Sequence, residues 1–173
     1  KKQIIIDYGM NTNDDTNKDN TKHTIDYFSD YYKIQSNTND THYKRVGDAI
    51  QSIGYAFGAI DITAVRSADN KEILLNSGNI ANFAHSQGTA INNTSDRLLN
   101  YRGVDTSQII PIGMGGQQHV GVGSGGINYR NPNDIVANSC QDLNISGNMN
   151  AHSYTRYIDD NINDIKSKIE GKI

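Results

Sequence analysis

Apolar and polar positions alternate in blocks along this 173-residue chain. Gln3-Ile4-Ile5-Ile6 is a β-branched run closed by Asp7-Tyr8-Gly9, the pattern of a strand buried on both faces. Met10 to Thr21 is almost wholly Asn, Asp, Thr and Lys. It predicts a solvated loop just after that strand, where α/β proteins carry binding loops. Ile25, Phe28 and Tyr32 share a helical face and predict a short helix over 24–33, with a polar loop over 35–41 behind it. Tyr43, Val46, Ile50, Ile53 and Phe57 recur at spacings of three and four. They predict an amphipathic helix that Asp40 or Thr41 can cap and Gly58 can end. Ala59 to Val65 alternates and is β-rich, so it predicts a strand. A short helix over 69–76 follows, capped by Ser67 or Asp69 and stopped by Gly78.

The second half repeats the rhythm. Ile80 to Ala84 predicts a short buried strand, and Gly88 to Tyr101 a helix with Ile91, Ser95, Leu98 and Tyr101 along one side. Ser107 to Ile112 predicts a strand that Pro111 ends or places at an edge. Seven glycines among the fourteen residues Gly113–Gly126 predict a long loop. Asp134 to Ala137 suits a last strand or a turn, and Ser139 to Ala151 reads as loop. Tyr154, Ile158, Ile162, Ile165 and Ile169 predict a terminal helix. Strands alternating with helical patterns indicate an α/β fold with a mostly parallel sheet and helices on both faces. Binding sites in such sheets form at the carboxyl ends of the strands. The length suits one domain over residues 1–173, able to bury roughly 70% of the unfolded chain's surface. The abrupt start at Lys1-Lys2, almost at once a strand, fits a domain excised from a longer protein.

Composition narrows the partners. Net charge is −3, and the sixteen Lys and Arg are scattered, which argues against a nucleic-acid surface. Cys140 is the only cysteine, so an internal disulfide and a CxxC metal site are both ruled out. No apolar run approaches the ~20 residues that span a bilayer, so no transmembrane segment is expected. The glycine-rich stretch has neither a Gly-x-Gly-x-x-Gly at a strand–helix junction nor a Gly-Lys-Ser/Thr ending. A His-Glu-x-x-His is missing, and the Asp-rich 14–19 run lacks EF-hand spacing, so neither cofactor nor metal is expected.

The stretch with chemical character is Asn79 to Thr89. Ile80, Phe83 and Ala84 suit a buried strand, Ser86 the tip of a sharp turn, and Gly88 the start of a helix. Small residues two positions either side of the serine let strand and helix backbones pass closely, as in a nucleophile elbow, G-x-S-x-G, with Ala84 at the first glycine. A serine hydroxyl needs a histidine to take its proton, and that histidine needs a carboxylate to fix its tautomer. In this architecture the order is Ser, then Asp or Glu, then His. Asp134, after a turn and before an apolar pair, is the leading acid, with Asp142 and Asp105 as rivals. His152, just before the terminal helix, is the leading base, with His119 as rival. The same residues have plainer uses: Ser86 as a helix N-cap and Asp134 as a turn residue. His85 reads as packing beside the elbow, and His23 and His42 as surface residues.

Three motifs carry a resemblance to a family. Ala84-His85-Ser86-Gln87-Gly88-Thr89 resembles the elbow of lipases, esterases and cutinases of the α/β-hydrolase fold. Asn131-Pro132-Asn133-Asp134-Ile135-Val136 is similar to the run that carries their acid. His152-Ser153-Tyr154 followed by Tyr157 is similar to the run that carries their histidine. The resemblance implies a minimal α/β-hydrolase and a serine ester hydrolase with Ser86, Asp134 and His152 as its triad. Its oxyanion hole would come from the backbone N–H groups of Gln87 and Met10, the latter in Tyr8-Gly9-Met10-Asn11-Thr12, which is similar to the family's loop after its early strand. A carboxylic ester is the implied substrate, a phospholipid or other lipid among the family's options, with contact at a membrane surface. A looser resemblance, resting on the compact hydrolase and the abrupt start, is to the C-terminal toxin domains of bacterial polymorphic and contact-dependent growth inhibition toxins. It implies delivery as part of a larger secreted or cell-surface protein, and a cognate immunity protein as partner. On that reading a toxin or binding module without hydrolytic activity is the alternative, and a nuclease toxin the distant one.

Overall fold

A computed structural model describes residues 3–9, 14–28, 33–37, 54–55, 58–116, 122–123, 125–142, 147–170 and 172. β1 (Gln3–Asp7), β2 (Lys33–Asn37), β3 (Ile80–His85), β4 (Ile109–Met114) and β5 (Ile127–Tyr129) form one parallel sheet in the order β2-β1-β3-β4-β5. The helices are α1 (Asp14–Phe28), α2 (Ile62–Leu75), α3 (Gly88–Tyr101), α4 (Ile135–Asp142) and α5 (Tyr154–Glu170), with a 3₁₀ turn at Met149–His152. The expected α/β architecture, a small parallel sheet with helices on both faces, is the one observed.

The two faces follow from the period-two alternation of buried strands. Ile4, Ile6, Phe83 and Ile112 point to the side covered by Phe28 of α1 and by Tyr157, Ile158, Ile165 and Ile169 of α5. Ile5, Ile80 and Ile109 point to the other side, against Ala68 and Leu74 of α2 and Leu99 of α3. Fully buried side chains on both sides explain why β1 reads as an unbroken apolar run.

Several expectations are corrected. Residues 59–65 are not a strand: Ile60 and Ile62 are 50% and 55% exposed, and α2 starts at Ile62 with the Asp61 carboxylate accepting from Ala64 N–H at 3.0 Å. That one helix replaces the short one expected over 69–76. The Asp/Asn/Thr-rich stretch is not all loop, because α1 begins at Asp14 and runs through the segment expected to start only near 24. Its inward face is polar. Asn17, Asn20 and Thr24 are buried with Phe28, and Tyr8 Oη donates to Asn17 O at 2.9 Å while Thr24 Oγ1 bonds Tyr154 Oη at 2.8 Å. Lys33–Asn37, expected as the end of a helix over 24–33 and the start of a polar loop over 35–41, is the edge strand β2, held through its backbone to β1. Ile127–Tyr129 adds a three-residue strand beyond the glycine-rich stretch. Ile135–Asp142 is helical rather than strand or loop. The amphipathic helix expected over 43–57 lies outside the described residues apart from Gly54 and Tyr55.

Candidate functional site

The chain passes from β1 outward to β2 and then returns to β3 on the other side of β1. Such a reversal opens a crevice at the carboxyl ends of the two central strands. The segments leaving β1 and β3 there are Tyr8-Gly9 and His85-Ser86-Gln87.

Ser86 has φ 55, and it is the only non-glycine residue with positive φ among the described residues. A β-carbon beside a left-handed backbone is crowded, so this conformation persists only where the surroundings impose it. Those surroundings are specific. Ser86 N–H donates to Met114 O at 3.0 Å, and Ser86 O accepts from Thr89 N–H at 3.0 Å and Thr89 Oγ1 at 2.8 Å. A Cβ on Gly88 would lie 2.7 Å from the Asp7 carbonyl carbon and closer still to its oxygen, so only glycine lets α3 start against the end of β1. On Gly9 a Cβ would lie 2.7 Å from Ser86 Cβ and 3.3 Å from Ser86 Oγ. The loop after β1 therefore passes directly over the serine. Ala84, at the position of the first elbow glycine, is fully buried in the sheet between Asp7 and Gly113.

Asp134 caps α4. Its Oδ1 accepts from Val136 N–H and Ala137 N–H, both at 2.9 Å, and its Oδ2 from Tyr157 Oη and His152 Nδ1, both at 2.7 Å. Burial pushes this carboxyl upward, but the hydrogen bonds from His152, the Ala137 amide and Tyr157 outweigh it and hold the group below its ordinary value. Tyr157 itself is fixed by Asn131 N–H, which donates to its oxygen at 3.1 Å. The backbone around Asp134 is tied to the loop before His152: Asn148 N–H donates to Asn133 O at 2.7 Å, and Asn148 Oδ1 accepts from Ala151 N–H at 3.0 Å. His152 closes that 3₁₀ turn.

The aspartate accepts at Nδ1, which places the imidazole proton there and leaves Nε2 with a lone pair, the tautomer of a general base. The His152 ring faces His85, with ring centroids 4.7 Å apart. Ser86 Oγ and His152 share no hydrogen bond among the described residues; the His152 ring lies tilted, at 37°, against the ring of His85, the residue that precedes the serine. Catalytic contacts of this kind are often long until substrate is bound.

Of the proposed oxyanion donors, Gln87 is fully buried at the cap of α3, where Ala90 N–H and Ile91 N–H donate to its carbonyl. Met10 lies outside the described residues, and so do His119, His42 and the side chain of Asp142. Asp105 is exposed, accepts from Ser107 N–H at 2.9 Å, and precedes β4, at the opposite end of the sheet from Ser86. His23 pairs with Asp159 at 2.6 Å on the surface.

A second polar group was not legible in the sequence. On the α2/α3 side, Asp7 accepts from Ser67 Oγ and Asn82 Nδ2, both at 2.9 Å, while Asn92 Nδ2 donates to Asn82 Oδ1. Nearby, the fully buried Lys71 ammonium donates to Ser95 Oγ and to Asp96 Oδ1, both at 2.7 Å. Burial pushes the Asp7 carboxyl up, against the Lys71 charge and the two hydrogen bonds. The only sequence signal was polar residues at strand and helix positions that should be apolar. This group braces the end of β1, the strand against which Gly88 packs.

Among the described residues, His, Cys, Asp and Glu side chains do not gather in groups of three or more that could hold a metal ion. None of the described helices is long and apolar enough to cross a membrane. No protein-family model, curated protein or solved structure matches this chain.

Proposed function

We propose that the protein is a serine hydrolase acting on a carboxylic ester. The observation that carries this reading is the pairing of a strained serine at the β3–α3 turn with a buried, hydrogen-bonded Asp134–His152 couple at the same end of the sheet. Strain in the one non-glycine residue of positive φ among the described residues, at a topological switch point, is expected of a functional group rather than a helix cap. In this reading Ser86 Oγ attacks the ester carbonyl and passes its proton to His152 Nε2. Asp134 holds the tautomer and stabilises the imidazolium. The tetrahedral oxyanion is received by the backbone N–H groups of Gln87 and Met10. His152 then protonates the leaving alcohol, and water, deprotonated by the same histidine, releases the acid.

Lipids as substrates, and action as the toxin domain of a larger bacterial protein countered by an immunity protein, rest on the sequence resemblances and are proposals on that footing. The test is labelling by a fluorophosphonate, which reacts with activated serines. The full chain should label, and Ser86→Ala should not. Equal labelling of the two, or none of the wild type, would remove the hydrolase reading. Comparison of short p-nitrophenyl esters with long-chain phospholipids then decides the acyl preference. Turnover of short chains alone would remove the lipid reading.

A further inference from the structure

His85 is buried at the end of β3, immediately before the serine. Its Nε2 lies 2.7 Å from the main-chain oxygen of His152. A carbonyl can only accept, so His85 Nε2 carries a proton; burial, followed by the neighbouring His152, drives the pKa down to about 3, which keeps the ring neutral. The carbonyl it binds falls outside the regular helix, because α5 opens with Tyr157 N–H on Ser153 O. Around the His85 ring stand His152 at 4.7 Å, Tyr154 edge-on at 5.7 Å and Tyr157 at 5.9 Å between ring centroids.

We propose that His85 is the positioning residue for the catalytic base: one imidazole holds the His152 main chain by a hydrogen bond and its ring by a tilted ring-to-ring contact, locking the base loop to the serine turn. The proposal rests on the reading of Ser86 and His152 as nucleophile and base. Its physical content is a division of labour. Asp134 fixes the His152 ring by one nitrogen, which leaves the ring free to swing about that bond. His85 supplies a second and a third restraint, on the backbone and on the ring face. Its own backbone continues into Ser86, so a displacement of the turn is shared by both partners of the proton transfer rather than opening a gap between them. A histidine suits this place because it combines a flat ring with a directional donor at the ring edge. Leu or Phe there would leave the His152 carbonyl without this donor, in a pocket walled by Tyr154 and Tyr157.

The test compares the wild-type chain with His85→Phe, which keeps a flat ring but has no donor, and His85→Gln, whose amide N–H lies near the place of Nε2. Three quantities are read: the rate of fluorophosphonate labelling, kcat and KM on a p-nitrophenyl ester, and the downfield NMR proton of the His152–Asp134 hydrogen bond. The expected result for His85→Phe is labelling and kcat slowed by about 10- to 100-fold with KM changed by less than about twofold, and loss of the downfield proton to exchange; His85→Gln recovers rate and resonance. Wild-type rate and an intact resonance in His85→Phe would overturn the proposal, as would equal impairment of Phe and Gln variants that melt like wild type. Should His85→Phe fail to fold, the ¹⁵N shifts of His85 in the wild type decide: a neutral ring protonated at Nε2 is expected, and protonation at Nδ1 alone overturns the proposal. The outcomes separate the two layers of the argument. A wild type that does not label, but whose resonance follows the expected pattern, sinks the hydrolase reading and leaves His85 only as the residue that holds the His152 loop. A wild type that labels through Ser86 while His85→Phe is unaffected does the reverse.

Discussion

Gly88→Ala probes the contact on which the serine turn depends. The added methyl would stand 2.7 Å from the Asp7 carbonyl carbon, and nearer to its oxygen, where ordinary contact begins at 3.4 Å. Clearing the carbon alone takes 3.4 − 2.7 = 0.7 Å, and clearing the nearer oxygen takes well over ~1 Å, in an interior packed like a crystal. The obstacle is backbone of a central strand. It cannot swing away as a side chain could, and Asp7 is further held by Ser67 and Asn82. Overpacking of this kind costs about 2–3 kcal/mol, the upper part of its usual range. For a chain of this size that corresponds to a fall in Tm of roughly 4–12 °C. The movement would also separate the turn from the loop that carries Gly9, and a misplacement of about 1 Å typically costs on the order of 100-fold in rate. Differential scanning calorimetry and the rate of fluorophosphonate labelling give the two numbers independently. A Gly88→Ala variant that melts with the wild type and labels at its rate would refute the close packing of α3 on β1, and with it the account of how the serine is raised.

Three further perturbations bear on separate parts of the argument. Ser86→Gly relieves the positive φ and should raise stability by about 1 kcal/mol while abolishing labelling, whereas Ser86→Ala should abolish labelling with no such gain; equal stability of the two in urea unfolding would mean the turn is not strained. Asp134 is held below its unfolded value, so the stability it contributes is present above pH ~3.9 and disappears as pH falls through its depressed folded value. The difference in unfolding free energy between wild type and Asp134→Asn should therefore shrink on acidification below about pH 4, and a constant difference from pH 7 to 2 would contradict this. Among the described residues, Asp96→Ala leaves the buried Lys71 ammonium with Ser95 as its one hydrogen-bond partner and the Asp7 carboxylate as a neighbouring charge, and should destabilise by about 2–4 kcal/mol, less than for a fully enclosed pair because Asp96 is partly exposed. Adding Lys71→Met to that variant should recover part of the loss, and additive losses in the double variant would show that the two residues do not interact.

The residues most easily read in the sequence are those whose burial is apolar. Ile4-Ile5-Ile6, Ile80 to Ala84 and the Tyr154–Ile169 periodicity are β1, β3 and α5 because a two-face-buried strand and a one-face-buried helix leave distinct patterns of hydrophobic positions. Where burial is polar the same logic fails. Asn17, Asn20 and Thr24 form the inward stripe of α1; Tyr8 Oη reaches the Asn17 main-chain oxygen and Tyr154 Oη reaches Thr24 Oγ1, contacts made in space that leave no apolar period in the sequence. Ile60 and Ile62 mislead in the opposite direction, since their alternation marks exposed positions at the start of a helix that Asp61 caps. An edge strand such as Lys33–Asn37 needs only backbone partners, so its side chains carry little trace of it.

For the candidate site, the division is similar. Chain order, small residues around Ser86, and a histidine and an aspartate beside predicted element ends are properties of local sequence, and they name Ser86, Asp134 and His152 without reference to any contact. What they could not contain is the set of long-range restraints: Asp7 against Gly88, Gly9 over the serine, Tyr157 on Asp134, His85 on His152, and the Lys71 group beneath. Each joins residues far apart in the chain, and each depends on distances of a few ångströms that only the packed sheet and its helices determine. Sequence fixes which groups are available and roughly which elements bear them; tertiary packing decides which of them meet, because hydrogen bonds and close backbone contacts are made in space and leave no period along the chain.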